Sequence, residues 1–475
     1  MLIFKYHIFF IVKYIFFFKR INNTLAVNNY KMKKRILIIG AGRSSSDLIQ
    51  YLLEISIEKK YFITIADYNL ENASRFIKDN NISRAIEFDA NDSEQRSNEI
   101  KNSDLVVSML PASMHILVAK DCVLYKKHLV TASYVSDEIS KLNIDARNNG
   151  VLLLNEIGLD PGIDHMSAMK IIDDIKKDGG VIRSFKSFCG GLVHPDCDNN
   201  PWNYKFSWNP RNVVLAGLGT AQYIEEGLIK YIPYNKLFLR TQLVDVLNLG
   251  TFEAYANRDS LSYRKEYQIE DVPTLIRGTL RKVGFSSSWN SFVQLGITND
   301  TYIIPRSNEI SCRQFINLFL PFSKHLSVEE KFCNQLGIQI DSDEFNKFKW
   351  LDIFSEKKIK IKNASPAKLL QKILEDKWSL LDGDKDMIIM QHQFEFIKGG
   401  VINKLHSSLV VYGENQINTS MSKTVGLPVA IAVKLILENK IKSIGVKIPT
   451  SSEIYIPVLC ELEKKGISFV EEIKS

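Results

Sequence analysis

The chain has 475 residues, 45% hydrophobic and 24% charged, which is ordinary for a soluble globular protein and enough for two or three domains. Five of its seven net positive charges fall in residues 1–31 (Lys5, Lys13, Lys19, Arg20 and Lys31, with no acid), so the remainder is too balanced to argue for nucleic acid or an anionic membrane as partner. Six scattered cysteines include no C-x-x-C pair and no zinc spacing, so reduced thiols in a cytoplasmic protein without a metal site are expected.

The first 31 residues are apolar but broken by Lys5, His7 and Lys13. They fit neither a membrane span nor a secretory signal. The expected reading is a non-native or disordered extension with translation starting at Met32; a helical anchor is the alternative. From there the chain alternates short apolar runs with helix-period segments. The runs are Ile36–Ile39, Phe62–Ala66, Ala85–Phe88, Leu105–Leu110, His128–Ala132 and Val151–Leu154. Continuous apolar runs suit strands covered on both faces, and alternation with helices predicts an α/β fold with a doubly wound parallel sheet. A dinucleotide-binding domain over 32–160 follows.

The first run leads into "GAGRSSSD". Gly40 and Gly42 allow a tight turn and close backbone approach to a pyrophosphate, and the helix that follows aims its N-terminus at that anion. Ser45 takes the third small-residue position. Asp67, at the end of the second run, stands where a carboxylate hydrogen-bonds ribose hydroxyls, which favours NAD over NADP. Asp89, Ala90 and Ser108–Pro111 mark further strand ends, where ligands gather.

Beyond the sixth run, "NEIGLDPGIDH" (155–165) makes a rigid turn flanked by Glu156, Asp160 and Asp164, expected over the nicotinamide. His165 and Cys189 read as structural. A long Gly-, Asn- and Trp-rich stretch (187–213), then Arg258 and Arg281, supply candidates for binding carboxylates. The expected divisions are an α/β substrate domain over 161–304 and 386–417, a helical insertion over 305–385, and a segment 418–475 that returns to the first domain.

Together "NEIGLDPGIDH", "CGGL", "NPWNYKFSWNPR", "YANRDS", "IRGTLR" and "MSKTVGLPVAIA" resemble the glutamate-forming saccharopine dehydrogenase family, from about Lys34 onward. The resemblance implies a Rossmann domain plus a mixed α/β domain that dimerises and carries a small helical insertion. It implies cofactor contacts from Gly40, Ala41, Gly42, Arg43, Ser44, Asp67, Asp89, Ala90, Ser108, Met109, Leu110, Leu159, Asp160, Pro161, Gly162, Ile163, Asn209 and Pro210. It implies substrate contacts from Ser133, Tyr134, Asp160, Arg258, Thr279, Leu280 and Arg281, in a likeness to enzymes oxidising saccharopine with NAD(P) to L-glutamate and 2-aminoadipate 6-semialdehyde, or the reverse. Saccharopine has three carboxylates, which gives paired arginines a purpose. Asp160 and Tyr134 are the candidate acid–base groups. NAD is the expected cofactor, with Arg43 leaving NADP open, and the expected assembly is a cytoplasmic homodimer acting on a small molecule, with no nucleic acid or membrane partner. The competing readings are a related imine-handling dehydrogenase, such as one making carboxynorspermidine, and a non-catalytic NAD-binding regulator.

Overall fold

The computed structural model describes residues 34–77 and 81–474; the expected extension over 1–31 lies outside them. The six apolar runs form β1 (Lys34–Ile39), β2 (Tyr61–Asp67), β3 (Ser83–Glu87), β4 (Leu105–Ser108), β5 (His128–Val130) and β6 (Leu152–Leu154). They pair in parallel in the order β6-β5-β4-β1-β2-β3, and Gly445–Lys447, from far along the chain, adds a seventh parallel strand beside β6. Ile36 and Ile38 enter one buried cluster while Leu37 and Ile39 enter another. Both faces are covered, which is why β1 reads as an unbroken apolar run. The strand order reverses between β1 and β4, so the crevice at their carboxyl ends is where such a sheet takes a ligand.

Helices α1 (Ser46–Lys59), α2 (His115–Leu124) and α3 (Ile163–Lys177) follow β1, β4 and β6. The second sheet comprises β7 (Val181–Val193), β8 (Ala221–Glu225), β9 (Leu228–Ile232), β10 (Gln242–Asp245), β11 (Thr251–Ala256), β12 (Thr274–Lys282), β13 (Asp386–Lys398), β14 (Val401–Tyr412) and β16 (Val470–Lys474), where β15 is the Gly445–Lys447 strand of the first sheet. Its main path runs β10-β11-β12-β7-β13-β14-β16, with only β12 and β7 parallel. Between β12 and β13 the chain makes short helices such as Cys312–Asn317 and Val328–Leu336. Each is started by a capping box, in which Ser311 pairs with Gln314 and Ser327 with Glu330. Their aromatic faces, with Phe315, Phe332 and Phe348, close on Trp202, Phe292 and Trp378 in one core.

The last part of the chain clamps the two sheets. Helix α4 (Ser420–Leu437) is long and apolar enough to cross a membrane by length alone, yet 78% of it is buried inside the protein. Its first turn is held by Asp386 at the start of β13, which accepts the N–H groups of Ser420 (2.6 Å) and Met421 (3.0 Å). Its flank lies on α1, where the Ser422 and Ser46 hydroxyls meet at 2.7 Å. Helix α5 (Ser452–Lys464) follows, and β16 then crosses to pair with β14. The segment 418–475 was expected to return to the first domain; it reaches both sheets, because β14 offers a free edge that a last strand can cover.

A Cβ at Gly426 would stand 2.8 Å from the Leu48 backbone nitrogen, in the first turns of α1. Gly426→Ala is therefore expected to push α4 off α1 and cost about 1–3 kcal/mol, read as a lower urea midpoint.

Candidate active site

Residues 40–45 form the turn at the carboxyl end of β1. At Gly40, φ is 101° and a Cβ would sit 2.8 Å from the Met109 carbonyl oxygen, so this position needs glycine; Gly42 faces open space. Ser45 precedes α1 without capping it, its hydroxyl bonding back to the Gly42 carbonyl (2.8 Å). Ser45 thus supplies no side-chain cap to α1, although the Asp47 N–H donates to the Ser422 hydroxyl (3.2 Å), and a glycine turn leading into a helix N-terminus suits a pyrophosphate. Beside it lies a cleft lined by Arg43, Ser46, Arg75, Phe206, Gln416 and Thr419 among others. The residues present fit a dinucleotide.

Asp67, expected at the ribose, is engaged within the turn. Its Oδ2 accepts the Ala41 N–H (2.8 Å), and its Oδ1 accepts the Asn69 N–H (2.9 Å) and the Asn72 amide (3.1 Å). It organises the turn. Arg75 donates to the Ala41 carbonyl (3.0 Å) from the other side. Asp89 folds over its own loop, accepting from Asn91, and the Ala90 carbonyl takes a bond from Arg96. Ser108 ends β4, and the Met109 N–H bonds to Ile39 at the end of β1.

The loop after β6 carries the acids. Asp160 and Asp164 converge on one guanidinium: Arg277 Nη2 lies 2.8 Å from Asp160 and 2.6 Å from Asp164. Arg277 is 2% exposed and stacks over the Tyr263 ring at 4.1 Å. The Tyr134 hydroxyl approaches Asp160 at 3.4 Å. Behind them, Glu156 accepts from the Val135 N–H and the Tyr263 hydroxyl and meets His165 Nε2 at 2.9 Å, while His165 Nδ1 meets Tyr267 at 2.7 Å. His165 is a fully enclosed strut, as its place on a buried helix start suggested.

Two buried carboxylates share one cation, so their titrations separate. Burial, then the charge of Asp164, pushes the Asp160 carboxyl up to about 6. Burial opposes the charge of Asp164 as well, but the His165 ring, Arg277 and the Gly162 N–H hold it below the usual carboxylate range. Glu156 is held low too: burial works against it, and the bonds from His165 and Val135 win. The centre therefore has two carboxylates held ionised, Asp164 and Glu156, one guanidinium between Asp160 and Asp164, and one carboxyl, Asp160, able to exchange a proton near neutrality.

The other expected residues are dispersed. Arg258 is exposed, and its backbone carbonyl bonds to Gln222. Arg281 is 2% exposed, with Nη1 on the Leu280 carbonyl, Nε without a partner, and its guanidinium 5.1 Å from the Tyr204 ring. The partner of Asp160 is thus neither of these arginines but Arg277, which the sequence reading passed over. A signal existed: on β12, Arg277, Thr279 and Arg281 alternate onto one face. Thr279 bonds Asn257 (2.8 Å), and Leu280 lies against Gly190. Asn209 caps the short helix Pro210–Val214. Leu159, Pro161, Gly162 and Ile163 complete the acid loop, closed by the Gly162 N–H on Asp164 (2.6 Å). His115, also unremarked in the sequence, joins Ser108 to Ser133.

Comparison with known proteins adds a family to this geometry. Residues 36–154 match the saccharopine dehydrogenase NADP binding domain, and 158–467 the saccharopine dehydrogenase C-terminal domain. The saccharopine dehydrogenase [NADP(+), L-glutamate-forming] of Schizosaccharomyces pombe is 34% identical over 92% of this chain and 98% of its own length. The alpha-aminoadipic semialdehyde synthase of Arabidopsis thaliana is 34% identical over 93% of this chain but only 45% of its own length, so the chain spans about half of that relative. The apo saccharopine dehydrogenase (L-Glu forming) of Saccharomyces cerevisiae superposes with a TM-score of 0.82 at 32% identity, over 93% of this chain and 100% of that one. The relatives named for a dinucleotide carry NADP(+), so the expectation of NAD as the preferred cofactor has no support here.

A carboxyl raised to about 6 from an ordinary 3.8 favours the folded state only when protonated. That contribution is present below pH 4 and lost as pH rises through 6. Asp160→Asn is therefore expected to be more stable than the natural chain by about 2 kcal/mol at pH 7, with the gap closing by pH 4, measured by urea unfolding at both pH values.

Proposed function

The chain belongs to the saccharopine dehydrogenase family, and from that membership we propose that it is an oxidoreductase of the CH–NH group, oxidising saccharopine with a nicotinamide dinucleotide to L-glutamate and 2-aminoadipate 6-semialdehyde, or catalysing the reverse, in lysine metabolism. The carrying observation is Asp160: a carboxyl near pKa 6, beside Tyr134, on the loop that leaves the nucleotide sheet. A bound dinucleotide supplies the acceptor for the hydride leaving the substrate carbon. Asp160, ionised, takes the proton of the substrate's secondary ammonium. Tyr134, half-exposed, links that carboxyl to solvent for exchange. Water adding to the oxidised carbon must lose a proton, and the departing glutamate nitrogen must gain one; a group titrating near 6 serves both in turn. The His165 ring and Arg277 keep Asp164 ionised, and Arg277 fixes Asp160 in place. Arg281, a buried guanidinium with no ion pair among the described residues, supports a seat for a substrate carboxylate.

NADP is the finer cofactor reading. Arg43 and Arg75 flank the turn where a 2′-phosphate would lie, and Asp67 is engaged by the turn. All six cysteines are unpaired, which supports a reducing compartment such as the cytoplasm. Exposed Leu228, Ile229, Tyr231 and Leu243 on the second sheet support a homodimer.

Purified protein given saccharopine and NADP is expected to produce NADPH absorbance. Its kcat/KM falls about tenfold per pH unit below pH 6, and Asp160→Asn abolishes that limb along with most activity. No turnover of saccharopine with either dinucleotide overturns the reading. Arg43→Ala is expected to lower kcat/KM for NADP at least about fivefold while leaving NAD nearly unchanged; an equal effect on both removes Arg43 from the phosphate.

A further inference from the structure

Asp67 ends β2, and its two oxygens take three protein donors. Oδ2 accepts the Ala41 N–H (2.8 Å), while Oδ1 accepts the Asn69 N–H (2.9 Å) and the Asn72 amide (3.1 Å). A carboxylate has about four lone-pair sites, so little of this one is left for a ligand. Asn69 also caps the short helix Leu70–Ser74, its side chain accepting the Glu71 N–H (3.0 Å). Residues three apart on a helix share a face, and Asn72 and Arg75 both turn to the glycine loop. Arg75 Nη2 donates to the carbonyls of Ala41 (3.0 Å) and Gly42 (3.5 Å). The Ala41 backbone is thereby held at both ends, its N–H by Asp67 and its carbonyl by Arg75. Arg75 and Arg43 both line the cleft, and neither has an acid partner among the described residues.

We propose that Asn72 is a specificity-determining residue: by tying the Asp67 carboxylate to the glycine turn, it opens the ribose end of the cleft to a dinucleotide carrying a 2′-phosphate. A free carboxylate at the end of the second strand accepts from the ribose hydroxyls and selects NAD, and like charge turns a 2′-phosphate away. Here the lone pairs of that carboxylate are spent on the turn and on the helix that follows. The two guanidiniums then face the cleft without an acid beside them. Arg75 spends only Nη2 on the turn, which leaves its other N–H groups for a phosphate. The acid that signals NAD is retained in the sequence, and a neighbouring amide withdraws it from the ribose. This deepens the cofactor reading given above and rests on it; it does not depend on saccharopine being the substrate.

The test is a double-mutant cycle on the full chain, read as the ratio of the NADH to the NADPH dissociation constant from fluorescence titration. Asn72→Leu keeps the bulk of the side chain and removes its donor. With Asp67 in place, it is expected to lower that ratio roughly three- to tenfold. In an Asp67→Asn background no carboxylate is left to restrain, and the same substitution moves the ratio less than about twofold. A purely structural role would weaken both dinucleotides together and leave the ratio where it was. Asn72→Ala carries the same expectation and guards against a leucine that packs badly. Equal shifts in both backgrounds, or no shift in either, overturn the proposal. If the natural chain binds NADH at least as tightly as NADPH, the cofactor reading falls. The cycle still decides the role of Asn72 in that case: a ratio that drops only when Asp67 is charged sustains it, and any other pattern ends it.

Discussion

One guanidinium between two buried carboxylates governs the centre of this molecule. Taking Asp160 and Asp164 out of water together depends on Arg277, which lies within hydrogen-bond distance of both, with the His165 ring 3.6 Å from Asp164. A single positive charge cannot fully neutralise two negative ones. The pair therefore divides into a carboxylate that stays ionised and a carboxyl that titrates near neutrality. The useful chemistry is a residue of incomplete compensation. Had a second cation faced Asp160, its pKa would have dropped and it would have become another strut, as Glu156 did under the bonds from His165 and Val135.

That centre draws on both sheets. Asp160 and Asp164 come from the loop closing the first sheet, and Arg277 from the middle of β12 in the second. Their spacing of a few tenths of an ångström around hydrogen-bond optimum depends on a fixed relation between the sheets. Helix α4 supplies it, tied to β13 through Asp386 and to α1 through the Ser46–Ser422 contact. The same helix therefore aligns the dinucleotide turn and the substrate acids, which explains why so apolar an element carries serines and a threonine in its first turns.

Much of this was legible in the sequence. The apolar runs of the first sheet announce a parallel sheet because its strands are covered on both faces, and the turn at Gly40 is readable because few residues allow its conformation. Asp160 and Tyr134 could be nominated from the family motifs. Arg277 could not be told from Arg281 by spacing, since they share one face of β12 and only the tertiary fold decides which meets the acid loop. Asp67 shows a related ambiguity: a carboxylate at that spacing can bond a ribose or the turn itself, and here it accepts from Ala41, Asn69 and Asn72. His115 gave no signal, because one of its serines ends β4 and the other lies beyond β5, so its contacts are wholly spatial.

The parallel strand Gly445–Lys447 has a consequence for how the chain can be divided. It is hydrogen-bonded along β6, so the edge of the nucleotide sheet is completed by residues nearly three hundred positions downstream. A fragment cut after β6 would expose Leu152–Leu154 as a naked apolar edge, an invitation to intermolecular pairing. The nucleotide-binding part is accordingly not excisable as one continuous piece, and grafting it elsewhere would require carrying α4 and its following strand as a second polypeptide or through a circular permutation.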